Sequence, residues 1–559
     1  MPARRANLMS PWIMRLRRTI AGIEDGDIFT DPKFLLIFLP AYMVSFAWIF
    51  LIPADFWDDL AIKNNPDLVA MGYHASLPTM GWVTAGLLKL PHPNFTGRSL
   101  IFLMFACVPF LVRRFIAYRA LAPERERNAI AMLTALLPLF LSRFQLVTFY
   151  YCLSLLLFCF GSLLLAKTLS GRPSLVYRIT AYICFTLAFF TQSFLVLYGF
   201  VLFLIILHLS HGAPSGRTWD RLSSGAADLA RRSPDALLLP LVFFFMKAWL
   251  MPPIGPFVGY NAVTLQGILH ALSILPVAAI MAVVDMTGLA PTWTLPGLLL
   301  LLGGLLLARP GGLTRSENIS DAQPSTDAAA LLIAFFGLML AVFPYVTVHR
   351  AVLPYDFDDR DQLTMILAAG AVVVCAARTF LRSRVQWLTI FAVLIWAVAT
   401  DISTYLDIIV DGHIQNAVVR SLSQNRDVRQ NKAFLVDDSQ WPFLSRGRRL
   451  STAQLNCLMK AAFGDETRFA AELSSKPFDW KDQLTLLGRF RETGTCFRAY
   501  EDRPPVLLTV APGPLALTDR HIAKLTFDWI FRPERYSSDL DKLVSVSITT
   551  LPDGVLKPR

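Results

Sequence analysis

The chain reads as an all-α polytopic membrane protein with a small α+β domain at its C-terminal end. Three observations predict this. Of its 559 residues, 54% are hydrophobic and only 17% charged, with 41 Phe, whereas a soluble protein carries roughly 25% charged residues. Apolar runs recur at near-spanning length between Phe34 and Ala399, a recurrence that several soluble domains would not produce. Beyond Asp401 the composition changes to Gly, Pro and clustered charge. The formal net charge of +11 gathers in short interhelical loops, as membrane topology requires, which argues against nucleic acid as a partner.

Residues 1–30 are expected to form a cytoplasmic, interfacial helix. In Met9–Ile23 the residues Trp12, Ile13, Leu16 and Ile20 oppose Arg15, Arg17 and Arg18, the pattern of a helix lying on a membrane surface. No short apolar core with a small-residue cleavage site is seen, so no removable signal peptide is expected.

Residues 31–405 hold the transmembrane region. Candidate spans are Phe34–Leu51, Ser99–Tyr118, Asn128–Leu141, Leu146–Ala166, Ile179–Phe190, Val196–Leu209, Ala236–Leu250, Val263–Val284, Leu295–Leu307, Ala328–Val346, Leu363–Ala377 and Trp387–Ala399. Several fall short of the ~20 residues of a full crossing, which predicts broken or tilted helices. Basic residues fall on alternate loops: Arg4, Arg5 and Arg15–Arg18, then Arg113–Arg127, then Lys167–Arg178, then Arg217–Arg232. All belong inside, which places the first loop, 54–97, outside. The basic loop Arg378–Arg384 also belongs inside, so one segment between Ala236 and Leu307 must fail to cross. Val263–Val284, or a neighbour, is the expected one. About 11 crossings remain, and they put the loop 348–361 and the whole tail outside.

The tail, 406–559, is expected to carry a helix over Thr452–Leu473 and strands over Val506–Val510 and Leu543–Thr550. Five of seven Cys lie in apolar segments, where packing thiols are usual. Cys457 and Cys496 are alone in the tail. A pair isolated in an exported domain suggests a disulfide, the alternative being two unrelated buried thiols.

Chemistry is expected at two outer loops. Ala54-Asp55-Phe56-Trp57-Asp58-Asp59 follows the first apolar run directly, and carboxylates at the mouth of a membrane helix are costly unless partnered or put to use. The competing reading is a solvated turn capping the next helix. Gly72-Tyr73-His74-Ala75-Ser76-Leu77-Pro78 and Trp82 come next, and Arg98 closes the loop. The second constellation is His349-Arg350-Ala351-Val352-Leu353-Pro354-Tyr355-Asp356-Phe357-Asp358-Asp359-Arg360-Asp361. Here the competing reading is a loop whose Arg and Asp residues neutralise one another. There is no CxxC, HExxH, Walker A or GxSxG motif, and no internal repeat.

The arrangement resembles the C-type superfamily of integral-membrane glycosyltransferases (GT-C). In that superfamily the first outer loop begins with an acidic pair, matched here by Asp58-Asp59, and continues to a His/Pro segment, loosely matched by His74-Ala75-Ser76-Leu77-Pro78. Many helices of unequal length and a soluble outer C-terminal domain match as well. The resemblance implies an inverting transferase, multi-pass in a bacterial inner membrane with its tail periplasmic, that uses a polyprenyl-phosphate-linked sugar donor and a glycan, lipid or protein acceptor. It implies Asp58 as base, with Asp59 and Asp55 as further candidates. Arg350, Arg360, His349, His74 and Arg98 are candidates for the donor phosphate, and Tyr355 and Asp358 for the sugar or acceptor. The Asp-rich spacing leaves a divalent cation such as Mg or Mn open. Two other classes stay open: a lipid-linked polysaccharide polymerase or ligase, and a transporter or lipid flippase, which predicts ionisable residues inside helices and pseudo-symmetric halves.

Overall fold

The computed structural model describes residues 32–56, 58–65, 67–119, 121–170, 174–210, 218–259, 262–285, 324–350, 362–381, 383–438, 444–445, 448–473, 496, 504–552 and 555. The expected interfacial helix Met9–Ile23 and the segment Leu295–Leu307 lie outside them. Seven described helices are long and apolar enough to cross a membrane. They are α1 (Pro32–Phe46, extended by a 3-10 turn to Leu51), α5 (Pro93–Tyr118), α7 (Thr148–Ser170), α9 (Ser193–Ser210), α12 (Leu265–Val284), α13 (Pro324–Val346) and α15 (Ser383–Gln424). An eighth forms if α10 (Thr218–Arg232) and α11 (Pro234–Leu250), bent by 77° at their junction, count as one. The protein is polytopic and mostly helical. Shorter helices fill the bundle: α6 (Glu124–Leu136), α8 (Leu175–Phe189) and α14 (Ile366–Phe380). The expected span Asn128–Leu141 is helical only to Leu136, and its remainder passes through a turn to a 3-10 turn at Ser142–Phe144.

Polar contacts mark the two ends of this body. At one end Arg378 pairs with Glu126 at 2.8 Å and with Asp327 at 2.9 Å. Arg119 donates to the Ala166 carbonyl at 2.7 Å, and its own carbonyl meets His208 Nδ1 at 3.0 Å. At the other end lie α2 (Asp58–Asn64), α3 (Leu68–His74) and α4 (Pro78–Leu88). Asp67 caps α3 by accepting the Ala70 N–H at 2.8 Å, satisfying a donor that the helix leaves unpaired.

Val263–Val284, expected with its neighbours as the segment that fails to cross, is itself long and apolar enough to cross, whereas the neighbouring α10–α11 pair is bent. Leu265–Val284 is one unbroken helix of 20 residues. Thr264 caps it, accepting the Gly267 N–H at 3.0 Å. It packs along α13 so closely that a Cβ on Gly267 would lie 2.2 Å from the Thr347 carbonyl. A glycine there lets two apolar helices meet with backbone nearly touching.

The tail holds a four-stranded sheet in the order β2-β1-β3-β4. Its strands are β1 (Ala433–Asp438), β2 (Phe469–Glu472), β3 (Val506–Pro512) and β4 (Val544–Thr549), with β1 parallel to β2 and β3 and β4 antiparallel to β3. Helices α16 (Arg426–Gln430), α17 (Thr452–Phe463), α18 (Asp519–Phe531) and α19 (Pro533–Leu540) accompany it. The expected helix Thr452–Leu473 thus splits at Gly464, whose φ of +74° ends it, and its C-terminal part is β2. Cys457 and Cys496 are bonded, closing a sequence separation of 39.

The boundary expected at residue 405 falls inside α15. That helix has 42 residues, about 63 Å at 1.5 Å per residue, against ~30 Å for a hydrocarbon core. Its surplus length enters the tail, where Ile414, Ala417, Val418 and Leu422 share a core with Phe434, Val436, Leu455 and Leu508. One helix therefore belongs to both parts.

Candidate functional site

The acidic loop is an ordered structure tied on every side. Arg98, in the first turns of α5, is 5% exposed. Its guanidinium donates to the carbonyls of Ile52 at 2.7 Å, Ala54 at 3.1 Å and Phe144 at 3.1 Å. All three of its nitrogens are engaged with backbone, so Arg98 holds the loop rather than presenting itself to a phosphate. Asp55 accepts from Lys63 Nζ at 2.6 Å and Asn94 Nδ2 at 2.9 Å.

The two members of the acidic pair differ. Asp59 is buried, and its carboxylate accepts the backbone N–H groups of Leu146 at 2.8 Å and Val147 at 3.0 Å, just ahead of α7. Burial, and then the charge of Asp55, push its carboxyl up to about 7, against the two backbone donors. Asp59 thus staples the loop to the start of α7. Asp58 opens α2 and is half-buried.

The tail rests on this loop. Gln415 of α15 donates to the Asp55 carbonyl, and Asn416 donates to the Pro53 carbonyl at 3.2 Å. A Cβ on Gly412 would lie 2.8 Å from Pro53 Cδ, so only glycine allows this approach. Sγ of Cys496 lies 3.9 Å from the Leu60 carbonyl oxygen. Arg448 of the tail pairs with Asp411 and lies 6.0 Å above the Phe56 ring. Spacing along the chain gives no signal for Arg448, which lies nearly 400 residues after Phe56.

The second loop begins at the same end of the body. The His74 carbonyl accepts the Ile254 N–H at 2.9 Å, and Ser76, at φ +59°, donates to the Met251 carbonyl at 2.5 Å. These contacts bring the α11–α12 connection to the acidic loop. From α12, His270 meets the His349 ring with centroids 5.1 Å apart, and His349 itself holds φ +57°. His349 is exposed and Arg350 half-buried. Tyr355, Asp358 and Arg360 lie outside the described residues. Among the described residues no three His, Cys, Asp or Glu side chains are grouped as a metal site.

Arg143, which the sequence offers as a weaker phosphate candidate in the short outer loop Ser142–Gln145, is instead buried inside the body, and sequence reasoning missed Asp401 as its neighbour. Arg143, 1% exposed, lies 3.6 Å from the Phe46 ring centroid and 4.1 Å from that of Phe105. Asp401 of α15, fully buried, lies within its electrostatic reach. The signal was available: Asp401 directly follows the apolar run that ends at Ala399, and it was read as the start of the tail because a charge ended the run.

No protein-family model matches the chain, and no curated protein sequence matches it.

Proposed function

We propose that the protein is an inverting membrane glycosyltransferase. It transfers a sugar from a polyprenyl-phosphate donor to an acceptor hydroxyl or amine on the periplasmic side of a bacterial inner membrane. The observation that carries this reading is that the loop bearing Asp58, the turn at His349 and the tail lie at one end of an apolar helical body. In this reading the body crosses about 11 times, with the short helices α6, α8 and α14 counted as crossings.

Asp58 serves as general base. Its carboxylate takes the proton of the acceptor group, whose freed lone pair attacks the anomeric carbon from the face opposite the phosphate. The bond from that carbon to the phosphate oxygen breaks, and the polyprenyl phosphate leaves with the electron pair. A cation is needed where this charge stays, and Arg350 is the residue assigned to supply it in this reading, with His349 beside it in the chain. Asp59, Asp55 and Arg98 position the base, since each ties the loop to its surroundings.

A transporter or flippase draws on a different observation, the Arg143–Asp401 pair, because ionisable groups inside a helical body often mark a transport path. One experiment separates the two. Purified full-length protein in vesicles is given radiolabelled polyprenyl-phosphate sugars together with a membrane lipid extract. The transferase reading expects labelled product and free polyprenyl phosphate. Donor that changes leaflet with its sugar still attached sinks it.

A further inference from the structure

One face of the tail stays exposed among the described residues although it is apolar. Helix α18 buries Leu525 in the tail core, and its Thr526 hydroxyl meets His413 Nε2 of α15 at 3.0 Å. The opposite side carries Ala523, Phe527, Ile530 and Phe531 in one stripe at helical spacing. These are not stray surface residues: Phe527 is 47% exposed, Ile530 45% and Phe531 65%. The rings of Phe527 and Phe531 lie 4.9 Å apart, and the guanidinium of Arg532 lies 5.3 Å from the Phe527 ring. Arg520, Arg532 and Arg535 are exposed around the stripe, against Asp519 and Glu534. Apolar groups rimmed by basic ones suit the boundary between acyl chains and phosphate headgroups.

What places a bilayer there is continuity with the helical body. Ile522, directly before Ala523 in α18, packs against the core of that body. The flanks of the body expose Leu36, Trp249 and Leu265 at 73%, 83% and 73%, as surfaces facing lipid do. Because α15 runs unbroken from the body into the tail, the height of α18 relative to those flanks is fixed.

We propose that α18 is a membrane-interface anchor. Its stripe sinks into the outer boundary of the bilayer beside the helical body, and Arg520, Arg532 and Arg535 meet lipid phosphates. The inference rests on the helical body lying in a membrane and not on glycosyl transfer. Tethered at both α15 and α18, the tail is held over the acidic loop at one orientation to the lipid surface.

The test uses the full-length protein reconstituted in vesicles of phosphatidylethanolamine and phosphatidylglycerol. Phe531→Cys is labelled with an environment-sensitive fluorophore, with identically treated unsubstituted protein as background. Lipids bearing a nitroxide near the headgroup and aqueous iodide serve as rival quenchers. The anchor predicts blue-shifted emission quenched severalfold more by the nitroxide lipid than by iodide. Ala523→Cys, on the same stripe, should behave alike. Water-like emission quenched by iodide would overturn the proposal. So would shielding from both quenchers, which would mean that protein, a second copy of this chain included, covers the stripe.

Discussion

At the residue scale, two neighbouring carboxylates have separate physical roles. Asp59 sits in a dry niche facing two backbone donors, and its carboxyl titrates near 7 in the folded protein against 3.8 ordinarily. A folded-state value above the unfolded one means that the folded protein binds more protons between the two. Stability contributed by this group is therefore present at low pH and is lost as pH rises from about 4 to about 7, by an amount on the order of a few kcal/mol. Asp59→Asn, which keeps the shape and cannot ionise, should flatten that dependence. Thermal melts of the two proteins between pH 4 and pH 7.5 check this. If the unsubstituted protein loses no more melting temperature than Asp59→Asn does, Asp59 is not the titrating staple described. This distinction was invisible in the sequence, where Asp58 and Asp59 are equivalent letters. It depends on Leu146 and Val147, contributed from 87 and 88 residues away.

At the scale of elements, α15 decides how membrane body and tail relate. Gly412 is the point where the helix passes the first loop, with Pro53 against its Cα face. Gly412→Ala adds a methyl where Pro53 already lies, and overpacking of this kind costs about 1–3 kcal/mol. The expected result is a lower melting temperature, even though Ala is the better helix former. A rise would show that Pro53 yields and that the loop is not held as described. Element types were mostly legible. Long apolar runs became helices near their expected positions, and the β-branched runs Val506–Val510 and Leu543–Thr550 became β3 and β4. Boundaries were less so. Leu137–Leu141 is apolar enough to continue a helix, yet it leaves the helix in a turn, where Phe140 and Leu141 supply carbonyls to Arg143 and Tyr405. Tertiary partners won over local propensity there. The join at residue 405 was misread because polarity returns before the helix ends.

At the scale of the whole molecule, the central claim is that an acidic loop, a His–Arg turn and a tail form one reaction centre at one membrane face. Charge counting placed both loops on that face from sequence alone. It could not show that the tail contacts the acidic loop through Gln415 and Asn416, since such contacts leave no local pattern. Nor could it separate Arg98, whose partners are backbone carbonyls, from Arg350, which belongs to the second loop. Asp58 is the residue on which the reading stands. The most direct measurement is the turnover of purified Asp58→Asn with a polyprenyl-phosphate sugar donor, alongside a binding measurement for that donor. Loss of a positioned base predicts turnover lower by roughly 100- to 10,000-fold with donor affinity retained. Near-unchanged turnover in both Asp58→Asn and Asp59→Asn would contradict the account and remove this loop from the catalytic centre.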